Sequence, residues 1–336
     1  MIDLRCHYLG LMLRSPIVAS ASPLTARLAT LQALDDAGVG AVVLPSLFEE
    51  EVESDAMALS GRLDALTDSS AEAADYLPAA DRSFAGPMSH VRLVGAAKSA
   101  LDIPVIASLN GATDGGWVRY ATMLADAGAD AIELNLYAVQ ANAMKASAEV
   151  EAEYLHLVEH VRWAVGVPLS VKLSPYLSST ANFVRQLRDA GVDGVVLFNR
   201  FVQPDIDVET FDVVSGVELS HHAEMRLPLR WIGLLRPAFP DLSLALTSGA
   251  RSGVDVVKAV LAGADVVMVA SELLRRGLLR AREIEAELKA WMAAHEYSAV
   301  AQMRGSVASN AARDPRHYER TQYIHNLLVH GGVVAR

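Results

Sequence analysis

Four stretches decide the fold. They are Asp36-Ala37-Gly38 ahead of Ala41-Val42-Val43-Leu44, Asp126-Ala127-Gly128 ahead of Ala131-Ile132-Glu133-Leu134, Asp189-Ala190-Gly191 ahead of Gly194-Val195-Val196-Leu197, and Ala262-Gly263 ahead of Val266-Val267-Met268-Val269. In each, a helical stretch ends in Ala-Gly, and glycine takes the left-handed position that closes a helix. The apolar run that follows is too short for a helix and does not alternate. That is the pattern of a strand buried on both faces.

Further strands lie between these copies. The runs from Ile103 to Leu109 and from Val167 to Leu173 each carry a proline near the entrance, where no ladder donor is lost. With Pro16-Ile17-Val18-Ala19-Ser20 and Leu242-Ser243-Leu244-Ala245-Leu246-Thr247, the chain is expected to hold eight strands, over 17–20, 41–45, 105–109, 131–136, 169–173, 194–198, 242–247 and 266–269. Helices are expected over 25–37, 117–127, 149–165, 179–190, 228–237 and 253–262. Strict alternation implies parallel strands and right-handed crossovers, and eight such units make an α/β protein of the (β/α)8 TIM-barrel class. A doubly wound sheet is the competing architecture.

Two segments exceed the minimal repeat. Residues 46–100 follow strand 2 and residues 199–227 follow strand 6, so both are extended loops on the carboxyl face, where barrels build active sites. A long helix is expected over 281–295, then a polar tail over 306–336 that packs on the barrel or on a partner subunit. The reading is therefore a barrel over 1–305 and a C-terminal helical tail over 306–336.

Composition narrows the class. The chain has 336 residues, 52% of them hydrophobic, which is ample for a large core and excludes disordered and fibrous classes. A formal net charge of −11 argues against nucleic acid or an anionic membrane as partner. The single cysteine, Cys6, excludes a disulfide framework, a cysteine zinc site and an iron–sulfur cluster built from this chain alone. No apolar run reaches the roughly 18 residues of a membrane span and no signal-peptide pattern opens the chain, so a cytoplasmic protein is expected.

Several residue groups could carry chemistry. Strand 7 ends in Thr247-Ser248-Gly249-Ala250 and strand 8 in Val269-Ala270-Ser271. In barrels the loops after these strands often hold a phosphate on backbone N–H groups, which small residues leave bare. Plain turn and N-cap chemistry is the alternative there. Lys172 stands between Val171 and Leu173 near a strand's carboxyl end, where an inward cation is costly without an anion or an electron-rich ring. The alternative is a lysine that snorkels to the rim. Asn135 and Asn199 end strands 4 and 6, and an amide both donates and accepts, as a flat heterocycle requires.

Other motifs are weaker. His156 and His160 have a helical spacing that zinc can use, but no third ligand or glutamate base accompanies them, so no metal site is expected. His221-His222 lies in the strand 6 loop, where it touches substrate or nothing. Gly111 to Gly116 lacks the Lys-Ser/Thr of a P-loop, and no GxGxxG unit marks a Rossmann nicotinamide site. Ser20, Ser22, Ser46 and Ser108 follow strands without a GxSxG elbow.

Tyr8-Leu9-Gly10-Leu11, Ala19-Ser20-Ala21-Ser22-Pro23, Glu133-Leu134-Asn135-Leu136, Val171-Lys172-Leu173-Ser174-Pro175, Thr247-Ser248-Gly249-Ala250 and Gly263-Ala264-Asp265 together resemble the dihydroorotate dehydrogenase family, including the flavin domain of dihydropyrimidine dehydrogenase. The resemblance implies an FMN oxidoreductase of pyrimidine metabolism, acting on a CH–CH bond of a dihydropyrimidine, and a homodimer. By position it places Ala19, Ser20 and Ala21 along the flavin and Ser46 at its polar edge. Lys172 would stand beside the pyrimidine side of the ring, where its charge stabilises the reduced anion. Asn135 and Asn199 would touch flavin and substrate, and Ser248, Gly249, Ala250, Ala270 and Ser271 would cradle the phosphate.

The chain departs from that pattern after strand 4. The family's proton-abstracting cysteine or serine is replaced by Ala138 in the run Asn135-Leu136-Tyr137-Ala138-Val139-Gln140. Alanine takes no proton. Tyr137 is the nearest titratable group, a poor base at a phenol's ordinary pKa of about 10. Gln140 stands where the family has a shorter substrate-binding amide, and Pro45 where it often has a lysine. Three readings follow. They are an FMN oxidoreductase with the usual base missing, a flavoprotein with another substrate or a separate electron-transfer partner, and a non-catalytic flavin-binding protein.

Overall fold

The structure, a computed structural model, describes residues 2–48, 86–111, 116–136, 138–201, 203–216 and 218–319. The chain opens with a hairpin, β1 (Cys6–Tyr8) and β2 (Leu11–Leu13). The repeating units follow: β3 (Ile17–Ala19), α1 (Leu28–Asp36), β4 (Ala41–Phe48), α2 (Gly86–Ala100), β5 (Val105–Asn110), α3 (Trp117–Asp126), β6 (Ala131–Asn135) and α4 (Ser147–Ala164). The second half holds β7 (Leu169–Leu173), α5 (Thr180–Asp189), β8 (Gly194–Leu197), a hairpin of β9 (Pro204–Asp207) and β10 (Asp212–Ser215), α6 (Arg226–Ala238), β11 (Ser243–Thr247) and α7 (Gly253–Ala262). The described chain ends with β12 (Val266–Val269), α8 (Ser271–Arg276), α9 (Arg280–Ala294) and α10 (Arg316–Glu319).

Strands β3, β4, β5, β6, β7, β8, β11 and β12 close into one parallel barrel, with β12 returning to β3. All eight strands expected from the sequence form. Their apolar runs work because the outer residues meet the helices while the inner ones fill the barrel. Val18, Val43, Ile106, Val196 and Met268 form the inner layer. The β1–β2 hairpin plugs the amino end, where Leu9 inserts against Gly194 and its N–H bonds Ser243 Oγ at 2.9 Å. A Cβ on Gly194 would lie 2.6 Å from the Leu9 side chain, so glycine is what lets the plug seat.

The structure differs from the sequence expectations in five places. The first expected helix is split: a 3-10 turn over Pro23–Ala26 is followed by an extended Arg27, and only then by α1. The second strand does not stop at 45 but runs to Phe48. A bulge between Val43 and Ser46 absorbs Pro45, which has no N–H to give the ladder. Helix α2 occupies the end of the 46–100 segment, where Gly86, Ser89, Gly95 and Ser99 blur the apolar period. The hairpin β9–β10 breaks the 199–227 loop and stands off with Ile206, Phe211 and Val213 exposed. A 3-10 turn, His222–Met225, then leads into α6 two residues earlier than expected.

A buried ion pair ties the far side of the barrel. Arg236 on α6 reaches Asp265 at 2.6 Å, and the same carboxylate accepts from the Leu244 N–H at 2.7 Å. Both side chains are buried, and Asp265 also pairs with Arg304 at 2.5 Å, so the carboxylate answers two cations. Residues 306–319 lie along α6 and α7. Ser309 N–H donates to the Gly233 carbonyl, and Tyr318 covers Gly233 and donates to the Val307 carbonyl.

Candidate functional site

Barrel strands deliver their last inward residues to a common mouth, so the site is set by which residue ends each strand. At the ends of β3, β7, β8, β11 and β12 lies a cleft of ≈ 220 Å³. Ser20, Ala21, Lys172, Asn199, Ser248, Gly249, Ala250, Ala270 and Ser271 all line it. These are nine of the residues singled out from sequence. Ala19 stands buried at the end of β3, beneath that rim.

One side of the cleft is built of backbone and small residues. Ser248 (φ 74°) and Gly249 (φ 79°) are consecutive left-handed positions. The Gly249 N–H donates to Ser220 Oγ at 3.3 Å, and the Ser220 N–H donates to Ser271 Oγ at 3.0 Å. Ser220 thus stitches the strand 6 loop to both expected phosphate loops. The carbonyl of Ser220 also accepts from Arg251 (3.0 Å) and Arg275 (2.8 Å), bringing two cations close to this side. Helix α7 starts next door with a reciprocal cap, in which Ser252 Oγ accepts from the Asp255 N–H and Asp255 accepts from the Ser252 N–H. Burial would raise the Asp255 carboxyl, but hydrogen bonds from His222, the Arg251 N–H and Ser252 win and hold it below its ordinary value.

Lys172 and Asn199 form the other side, while the expected residues Asn135 and Ser46 do not line the cleft and instead build, with Ser108, a polar network across the neighbouring strand ends. Asn135 Nδ2 donates to Ser108 Oγ (2.8 Å), the Leu109 carbonyl (2.9 Å) and Ser46 Oγ (3.3 Å), while Ser46 and Ser108 share a 2.8 Å bond. Asn199 Nδ2 donates to the Lys172 carbonyl at 3.1 Å. Lys172 is 11% exposed, and its Nζ lies 3.6 Å from Glu133 Oε1. A cation this buried, which among the described residues meets one carboxylate at longer than hydrogen-bond length, is poised for a further acceptor at the cleft.

Not every expected residue joins the cleft. Gln140 lines a second pocket of ≈ 400 Å³ with Ala138 and Val139, and its amide donates to Tyr154 at 3.2 Å. Tyr137 lies outside the described residues. His222 is spent on Asp255 at 2.9 Å, and His156 packs at a tilt against His160 along α4, with ring centroids 4.0 Å apart. Among the described residues no group of three or more metal-ligating side chains converges. Cys6 belongs to the plug at the opposite end. Burial, with Asp265 adding, pushes its thiol up to about 12 against the opposing pull of Arg304, so it is no base for the mouth.

Sequence reasoning missed Ser220, Phe198 and Arg200, which also line the cleft. Nothing local distinguishes Ser220, since the strand 6 loop brings it there. It passed over Glu133 as well, though a charged residue inside Ala131-Ile132-Glu133-Leu134 is a signal that could have been read.

The fold and mouth define a (β/α)8 barrel with a small-residue cradle facing a buried cation. Residues 79–292 match the model of the dihydroorotate dehydrogenase family, and the chain belongs to that family. Among curated proteins it is 28% identical over 176 residues to dihydroorotate dehydrogenase A (fumarate) of Lactobacillus delbrueckii subsp. bulgaricus, a stretch covering 51% of this chain and 57% of that one. It is 28% identical over 173 residues to the catalytic subunit of dihydroorotate dehydrogenase B (NAD(+)) of Listeria innocua serovar 6a, covering 50% and 57%. The chain therefore spans little more than half the length of these relatives. Among the described residues no helix is long and apolar enough to cross a membrane.

Proposed function

We propose that this chain is an FMN-dependent oxidoreductase acting on a flat, dihydropyrimidine-like small molecule at a CH–CH bond. The observation that carries the reading is the buried Lys172 facing a cleft whose other wall is Ser248-Gly249-Ala250 and Ala270-Ser271. These residues fit FMN chemically. The small-residue wall, backed by Arg251 and Arg275, suits a phosphate. Lys172 suits the electron-rich pyrimidine edge of the ring, and Ala19, Ser20 and Ala21 leave room for its plane.

When bound, FMN supplies the acceptor for a hydride, which is chemistry no side chain here offers. The chain's own residues bind, orient and shield. Asn199 is held by the Lys172 and Leu136 carbonyls, which fixes its amide beside the lysine. Asn135 is locked by Ser108, Leu109 and Ser46, so it orders the strand ends beside the cleft. Proton removal is not supplied at position 138, because alanine has no titratable atom.

Ala138 also favours a second reading, a flavoprotein with another substrate or one that exchanges electrons with a separate protein. Purification and an absorption spectrum test the cofactor, with a yellow FMN-bearing protein expected. Anaerobic addition of dihydroorotate then separates the two readings, since bleaching supports pyrimidine chemistry and a persistent oxidised spectrum favours the second. The exposed β9–β10 hairpin supports a homodimer, which light scattering during gel filtration tests directly.

A further inference from the structure

Glu133 is the most unusual side chain in the barrel. It points into the interior from the middle of β6, level with Ser108 on β5 and Ser170 on β7. It is completely buried, and among the described residues neither carboxylate oxygen has a hydrogen-bond partner. The charged group it meets is Lys172 Nζ at 3.6 Å. Below lies Tyr8 of the plug, a fully buried phenol; burial first, and then the charge of Glu133, keep it protonated, with Ser170 pulling weakly the other way. Around them the barrel interior is apolar: Val18, Val43, Ile106 and Val196.

An unbonded carboxylate in such surroundings is expensive unless a cation offsets it. The contact is a charge contact and not a clasp, so the ammonium keeps its donors for something else. Lys172 is thus drawn down toward Glu133 and open toward the cleft. We propose that Glu133 is a positioning residue that holds Lys172 at the floor of the cleft and offsets its charge, setting how strongly the cleft favours an anionic ligand or a reduced flavin. The redox half of this proposal rests on the flavoprotein reading, while the ion pair stands without it.

A double-mutant cycle tests both halves, using Glu133→Gln, Lys172→Met and the double variant. In the cofactor-free protein each single change strands one buried partner and lowers the unfolding temperature, and the double variant recovers at least half of the summed loss. Additive losses would overturn the pair. Should Glu133→Gln fail to fold, the double variant against Lys172→Met gives the same comparison. In the FMN-loaded protein the readout is affinity for sulfite, an anion that adds to oxidised flavins. Glu133→Gln should bind sulfite at least threefold more tightly, and Lys172→Met at least tenfold more weakly. The Glu133→Gln effect should vanish once Lys172 is gone. Unchanged sulfite affinity in Glu133→Gln, or the same shift in both backgrounds, would overturn the charge-setting role. A chain that takes up no FMN refutes the flavoprotein reading, yet leaves the unfolding cycle to decide the pair.

Discussion

The two sides of the barrel mouth are built from opposite materials. After β11 and β12 the wall is backbone, held by positive-φ positions and by hydrogen bonds through Ser220 and Asp255. After β7 and β8 it is side chains, Lys172 and Asn199, with the Asn135–Ser46–Ser108 network beside them at the ends of β4, β5 and β6. Backbone sites need small residues and a given turn, so they tolerate little change. Side-chain sites are rewritten by single substitutions. Of the departures from the family pattern, Pro45 lies in the β4 bulge and Ala138 and Gln140 line the second pocket, so none falls on the backbone half. The two halves therefore answer to different substitutions, backbone conformation on one and side-chain chemistry on the other.

The comparison breaks first if the scaffold under the backbone half is weakened. Asp265→Asn removes the charge that faces Arg236 in the interior and leaves one carbonyl oxygen for the Arg236, Arg304 and Leu244 donors that two carboxylate oxygens served. It should cost about 3–5 kcal/mol in urea unfolding. A loss below about 1 kcal/mol would show that this pair does not tie β11, β12 and α6 together. Next comes the turn itself. Gly249→Val places a Cβ 2.5 Å from the Met225 nitrogen in a left-handed conformation. It should cost about 3 kcal/mol and release the cofactor. Flavin retained at wild-type level would remove Gly249 from the cradle.

Asp255→Ala tests the cap behind the same loop, with an expected loss of about 1 kcal/mol. Because the Asp255 pKa is lowered on folding, its contribution is present at neutral pH. It disappears as pH falls from the ordinary carboxylate range, about 4, through the lower folded value. The stability gap between wild type and Asp255→Ala should therefore close in acid, and a gap that widens would reverse the sign. The smallest effect sharpens the other half. Ala138→Cys restores a thiol but leaves Pro45 and Gln140 unchanged, so dihydroorotate should bleach its flavin no faster than it does in the wild type. Rapid bleaching would show that the base alone was missing.

Much of this architecture is legible in the chain. The eight strands form where their apolar runs stand, because a strand buried on both faces needs no context to be recognised. The small loops Thr247–Ala250 and Ala270–Ser271 are legible for a similar reason, since their residue types constrain local backbone directly. Helix α2 was hidden by its own glycines and serines, and the β9–β10 hairpin by alternating aspartates that look like loop. Gln140 was read by its place in a motif, but the loop after β6 carries it into another pocket.

The repeat, the barrel class and the backbone half of the mouth are readable from the chain alone, because glycine closures and short apolar runs act over a few residues. Only the tertiary structure decided that Ser220 staples two distant loops, that Asn135 is tied into the strand ends beside the cleft, and that Glu133 sits beneath Lys172. Those meetings depend on strand register and on where a long loop returns. A one-residue change in register would point Lys172 away from the barrel interior and leave Glu133 without its cation.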